Sequence, residues 1–191
     1  MIAQDVARRL PDIPRVRDRS RSLAMLDAIL SPEWEYRHYS FNASWGPAQK
    51  LASMRNGTGD DYAIVFSPAG AWIRVFDHES PMSPWTLEPP RSWPGVLYTV
   101  PTAFQACVQE PAFILDGVAM VSACLWRQTS DDRWQTGVID FQPAGRTRTA
   151  ASGCWSCCWT TLQRPIGGSP RSTTSLSRTW WPWGRCMRCG R

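Results

Sequence analysis

Two carboxylates and an imidazole stand side by side in the run Phe76-Asp77-His78-Glu79-Ser80, at the head of a stretch rich in proline and tryptophan. An imidazole beside carboxylates titrates near neutral pH. Asp77, His78 and Glu79 are therefore candidates for general acid–base work in a small hydrolase-like site, or for holding a metal. On an extended chain neighbouring side chains face opposite ways, which would let Asp77 and Glu79 converge while His78 turns from them. The competing expectation is plain loop chemistry, with the Asp77 carboxylate accepting backbone N–H bonds.

A second constellation lies further along the chain, where Cys154 and Cys157 form one CxxC pair and Cys186 and Cys189 another. Four thiolates in two tight pairs can close a tetrahedron around zinc. The arginines and tryptophans around them would then make a nucleic-acid surface, cationic for phosphates and aromatic for bases. Trp85 and Trp93, in the loop-like residues 78–94, are candidates for a binding surface, because large rings dominate interaction hot spots. His38 is expected to hydrogen-bond on a strand face between Tyr36 and Ser40, and Asp60-Asp61 and Asp131-Asp132 to face solvent at turns. The sequence carries no GxxxxGK[ST], no GxGxxG after a strand and no GxSxG, and it implies no cofactor.

The elements that must position these residues follow from periodicity and punctuation. Residues 12–30 have apolar residues at helical spacing from Ser20 onward, and Ser31-Pro32 stops the helix. Residues 35–41 alternate like a strand, and residues 51–55 make a second. Asn56-Gly57-Thr58-Gly59-Asp60-Asp61 is turn chemistry. The runs 62–67 and 71–76 flank Pro68-Ala69-Gly70 as a hairpin. A short helix is expected from about Thr102, and residues 118–127 and 134–141 form a second hairpin around Thr129-Ser130-Asp131-Asp132. Helices and strands are segregated, with no βαβ alternation. The expectation is a single α+β domain over residues 1–141: an antiparallel sheet of two hairpins plus N-terminal strands, with helices packed on one side.

Charge divides the chain sharply. Residues 1–140 hold all sixteen acids against thirteen cations, whereas residues 141–191 hold eight Arg, five of the seven Cys and five of the twelve Trp with no acid or Lys. Trp has only the codon TGG and Cys only TGT or TGC, so the frame starting at each codon's third base is partly determined. With an AGY serine codon, residues 154–160 read there as leucine, glutamate, three leucines and aspartate, an amphipathic helix. Twenty Arg to one Lys imply a GC-rich gene. Residues 142–191 are accordingly read as an out-of-frame, irregular, disordered tail whose shift begins between Phe141 and Arg148. The loss of a covering helix is expected to leave apolar strand surface open.

Residues 23–42 (LAMLDAILSPEWEYRHYSFN), 53–71 (SMRNGTGDDYAIVFSPAGA), 76–84 (FDHESPMSP) and 123–141 (ACLWRQTSDDRWQTGVIDF) resemble a family of uncharacterised bacterial cytosolic proteins. The resemblance implies that the last strand is followed by an acidic, Leu- and Tyr-rich helix, as the alternative frame supplies; it assigns no chemistry and no catalytic residue. The N-terminal residues carry acids where a secretory signal needs an apolar run, and residues 112–126 are interrupted by Asp116. A cytoplasmic chain without a membrane partner is expected, with Cys107 and Cys124 as core thiols. The leading expectation is a non-enzymatic interaction or regulatory module with a protein partner. The alternatives are an enzyme using Asp77, His78 and Glu79, and a zinc-ribbon-like nucleic-acid binder through the tail, should the tail be genuine.

Overall fold

The computed structural model describes residues 3–139. Cys154, Cys157, Cys186 and Cys189, and with them the whole reading of residues 142–191, lie outside the described residues.

Two helices open the chain: α1 (Ala3–Arg9), which the sequence reading left unassigned, and α2 (Ile13–Leu30). The Asp12 side chain caps α2 by accepting from the Arg15 N–H at 3.1 Å, and Pro14 fits the first turn, where its missing N–H costs nothing. The Ser31 N–H bonds back to the Asp27 carbonyl at 2.7 Å, and Pro32 ends the helix. Val16, Ser20, Leu23, Ala24 and Asp27 form its buried stripe.

Six strands form one antiparallel sheet: β1 (Tyr39–Gly46), β2 (Gln49–Arg55), β3 (Asp61–Ser67), β4 (Gly70–Phe76), β7 (Ala123–Gln128) and β8 (Gln135–Thr136), in that spatial order. The α+β class is as the element order implies. The β3–β4 hairpin turns at Pro68-Ala69 with Ser67 opposite Gly70. Gly70 has φ of 140°, and a Cβ there would stand 2.1 Å from the Arg127 carbonyl oxygen, so only glycine lets β4 approach β7.

The central strands are buried on both faces. On one side Tyr62, Ile64, Phe66, Ile73, Val75 and Leu125 meet Val6, Val16 and Leu23 of the two helices. On the other, Ala63, Val65, Trp72, Cys124 and Trp126 meet Val96, Phe104, Phe113 and Val121. Two-sided burial explains why β3 and β4 read as continuous apolar runs rather than alternating ones. The bare sheet face expected beside an irregular tail is not found on β3, β4 and β7: α1 and α2 cover one side, and residues 96–121 cover the other. The short α3 (Gln105–Val108), close to where a helix was expected, places Cys107 in this second layer, so the helical segments divide between the two faces.

Two further boundaries differ from expectation. Residues 34–36 form a 3-10 turn, and β1 begins only at Tyr39, because the Asp27 carboxylate accepts the N–H groups of His38 and Tyr39, both at 2.7 Å. The second hairpin is shorter than residues 118–141. β6 (Val118–Ala119) pairs back on β5 (Ile114–Leu115) around Asp116-Gly117, both with positive φ, and only β7 and β8 join the main sheet.

Candidate functional site

The sequence candidates at 76–80 lie where β4 ends. Asp61 pairs with Phe76 in the β3–β4 register, so the turn before β3 lies beside the residues that follow β4. This places Asp60 against His78, across 17 intervening residues. One Asp60 oxygen accepts both the His78 backbone N–H, at 3.1 Å, and a bond with the ring Nδ1, at 2.8 Å. The other accepts the Asn56 amide at 2.7 Å. The Asn56 side-chain oxygen in turn takes the N–H groups of Thr58 and Asp60, which shapes the turn around Gly57 and Gly59.

Asp77 is buried but does not reach toward Glu79's carboxylate. Its Oδ1 accepts the Glu79 N–H at 3.1 Å, and its own N–H donates to Ser122 Oγ at 3.0 Å. This is the loop-start bonding expected as the alternative to catalysis. Glu79 is exposed and lies outside the cluster; Asp60, Asp77 and His78 are the three that bring one ligand atom each within 4.8 Å of one another. Asp60, expected in solvent, is instead buried, and its neighbour Asp61 pairs with the buried Arg74 guanidinium, which stacks over Phe113.

The electrostatics follow from these contacts. Burial alone would raise Asp60, but the hydrogen bonds from His78 and Asn56, together with the His78 charge, hold it below the usual carboxylate value. The bond to Asp60 raises His78 against the smaller opposing effect of burial, with further help from the charges of Asp60, Glu79 and Asp77. Burial, then the Asp60 charge, raises Asp77. The result is a hydrogen-bonded His78–Asp60 pair, ionic when His78 is protonated, with the His78 side chain 42 % exposed.

Such a pair fixes an imidazole by one nitrogen and leaves the other for solvent, which is half of a nucleophile-activating set. The other half is missing from the hydroxyls beside it. Ser122 Oγ donates to the Val75 carbonyl and accepts from Asp77, and Ser80 Oγ accepts from the Met82 N–H. The geometry ties the 56–60 turn to the end of β4.

Other candidates disperse. His38 has its ring in solvent, and its backbone makes the bonds: the N–H to Asp27 and the carbonyl to Arg55. Trp93 packs against the second core layer, whereas Trp85 reaches solvent from the 84–86 turn. Cys107 and Cys124 are buried and unbridged, as the core-thiol reading requires.

A different surface was missed. Met25 and Ile29 on the outer face of α2, Leu26 and Leu30 toward its C-terminal end, and then Trp34 and Tyr36 are all exposed, Ile29 by 72 % and Tyr36 by 67 %. Arg37 holds the turn beneath the rings: its Nε donates to the Ser31 carbonyl at 2.9 Å and its Nη2 to that of Pro32 at 2.6 Å, with the guanidinium 5.7 Å from the Trp34 ring centre. The signal was in the sequence. At 100° per residue Met25 and Ile29 lie opposite Val16, Ser20, Leu23 and Asp27, so residues 12–30 carry two apolar faces rather than one.

No protein-family model, curated protein or solved structure matches the chain. Among the described residues no helix is long and apolar enough to cross a membrane.

Proposed function

We propose that the chain is a non-enzymatic protein-interaction module whose binding surface is the outer face of α2 with the 34–36 turn. The observation that carries this reading is the run of six large exposed apolar side chains between Met25 and Tyr36. Large apolar side chains left exposed together in this way mark interaction sites rather than ordinary monomer surface. Turn geometry supports it as well, since Arg37 fixes Trp34 before any partner arrives, which lowers the ordering cost of binding. The hydrolase-like alternative has a paired imidazole but no hydroxyl poised on it, and ranks second.

The finer parts of the reading are proposals too. Unbridged Cys107 and Cys124 support a reducing, cytosolic setting. The resemblance of residues 12–141 to uncharacterised bacterial cytosolic proteins agrees with it. We take residues 142–191 to be read out of frame, which the sequence of an independent genomic copy decides. A zinc-ribbon tail would instead show about one equivalent of zinc, lost in Cys157→Ser.

The surface itself is tested by replacing Ile29 with a photo-crosslinking residue in producing cells, with exposed Lys50 as the control position. A discrete protein adduct at 29 and none at 50 is expected. No adduct at 29 refutes the interaction reading.

A further inference from the structure

Two buried carboxylates come together where the 56–60 turn meets the end of β4. Asp60 is 8 % exposed and Asp77 5 %, and among the described residues neither pairs with an Arg or Lys. Their neighbour Asp61 shows the usual solution, the buried Arg74 guanidinium. A buried charge is costly unless it is paired, so two at one spot call for positive charge. His78 supplies it only when protonated. Asp77 is the sharper case: its Oδ1 accepts the Glu79 N–H, and among the described residues no side chain donates to either of its oxygens.

The geometry suits an ion. Asp60, Asp77 and His78 each bring one ligand atom within 4.8 Å of the others. Asp60 Oδ1 and His78 Nδ1 stand 2.8 Å apart. A small octahedral divalent cation with bonds of ~2.1 Å holds adjacent ligand atoms ~3.0 Å apart, so this pair is nearly one edge of such a shell already. The bonds that orient the carboxylates do not compete with the ion: Asn56 donates to the other Asp60 oxygen, and backbone N–H groups of His78 and Glu79 donate to Asp60 and Asp77. Ligating groups in metal centres are fixed by bonds of this kind. Gly59, with φ of 108°, leaves the approach clear, since a Cβ there would stand 3.2 Å from His78 Nδ1. The exposed part of the His78 ring gives entry from solvent.

We propose that Asp60, Asp77 and His78 hold one divalent cation of the Mn²⁺ class, with water in its remaining positions. Carboxylates suit Mg²⁺, Ca²⁺ and Mn²⁺, whereas an imidazole suits transition ions, and Mn²⁺ accepts both. The ion takes the place of the proton between Asp60 and His78, which leaves to solvent. It neutralises both carboxylates and clamps the turn to the strand end. The site is separate from the α2 surface and stands or falls without it.

The full chain, stripped with a chelator, tests this by titration with Mn²⁺ while the imidazole proton resonances are followed by NMR. The chain has two histidines, so exposed His38 is the internal control, and thiolates, which favour softer ions, do not mimic the result. The His78 resonances should broaden as one equivalent is added while those of His38 persist, and the thermal midpoint should rise at saturation. Asp77→Asn keeps an acceptor for the Glu79 N–H but removes a charge, and should weaken Mn²⁺ at least about tenfold with an unchanged far-ultraviolet circular dichroism spectrum. Asp60→Asn provides the same test from the second ligand if Asp77→Asn lowers the fold's stability. Asp132→Asn, at an exposed turn, should leave the affinity at the wild-type value. Equal broadening of both histidines, no uptake at about 1 mM Mn²⁺, or wild-type affinity in Asp77→Asn overturns the site.

Discussion

Replacing Asp27 with alanine strips away the carboxylate that ties α2 to the start of β1. Asp27 is 5 % exposed, and one of its oxygens, Oδ2, accepts the N–H groups of His38 and Tyr39, both at 2.7 Å. Those bonds convert the 34–36 turn into the start of β1. A hydrogen bond to an ionised group contributes about 1.5–3 kcal/mol, so two set a ceiling of about 3–6 kcal/mol. His38 is exposed and Tyr39 half-buried, so water reaches part of the vacated space and the expected loss is about 2–4 kcal/mol. Asp27→Asn keeps one acceptor oxygen and should lose about half as much. Urea denaturation followed by circular dichroism measures both, with the slope unchanged if the denatured chain is unaffected. For a domain of this size the thermal midpoint of the alanine variant should fall by roughly 6–15 °C. A loss below about 0.5 kcal/mol refutes the assignment of Asp27 as the joint between α2 and β1.

Three further outcomes follow from the same geometry. His78 is raised by its bond to Asp60, so the folded state holds the proton more tightly. The pair's contribution is complete below the ordinary imidazole value of about 6.5 and is lost as pH rises through the folded-state value. Because the ring is 42 % exposed, that contribution is no more than about 1 kcal/mol. His78→Ala should flatten the stability profile above pH 6.5, and an unchanged profile contradicts the pair. In acid the lowered Asp60 contributes stability that disappears as pH falls through its folded-state value. The raised Asp77 acts in the opposite sense, its contribution being lost as pH rises, so the alkaline limb is the cleaner test. Gly70→Ala should cost at least about 2 kcal/mol, since φ of 140° is strained for alanine and its Cβ would meet the Arg127 carbonyl; denaturation midpoints equal to wild type would contradict that close approach. Leu23→Ala, on the stripe of α2 that faces the sheet, should lose about 2–5 kcal/mol, whereas Ile29→Ala on the outer face should stay within about 0.5 kcal/mol.

The parts of this fold legible in the sequence are those fixed by local chemistry. Pro68-Ala69-Gly70 between two apolar runs announces the β3–β4 hairpin, and Ser31-Pro32 announces the end of α2. What stayed hidden depends on residues far apart in the chain. His78 stands among acidic neighbours, yet its partner is Asp60, which the strand register delivers and no local spacing reveals. Asp27 looks like one more polar residue in a helix until His38 and Tyr39 return to it from beyond the Pro32 break. Asp116-Gly117 marks the β5–β6 turn, but residues 118–119 read as the start of the strand expected over 118–127 rather than as a short strand of their own. The outer strip of α2 was visible as periodicity and was absorbed into a single core face. An apolar residue at helical spacing shows that a face exists, and only the sheet's position shows which face it covers.

The most direct measurement of the central claim is the solvent exposure of the Met25 methyl group, followed by methyl-selective NMR of the purified full chain with a soluble paramagnetic agent. Buried Met54 serves as the internal reference. The account predicts that relaxation enhancement at Met25 is that of a free surface methyl in the purified chain, falls toward the Met54 level when an extract of the producing cells is added, and returns in Ile29→Glu. Enhancement at Met25 that the extract leaves unchanged would contradict it.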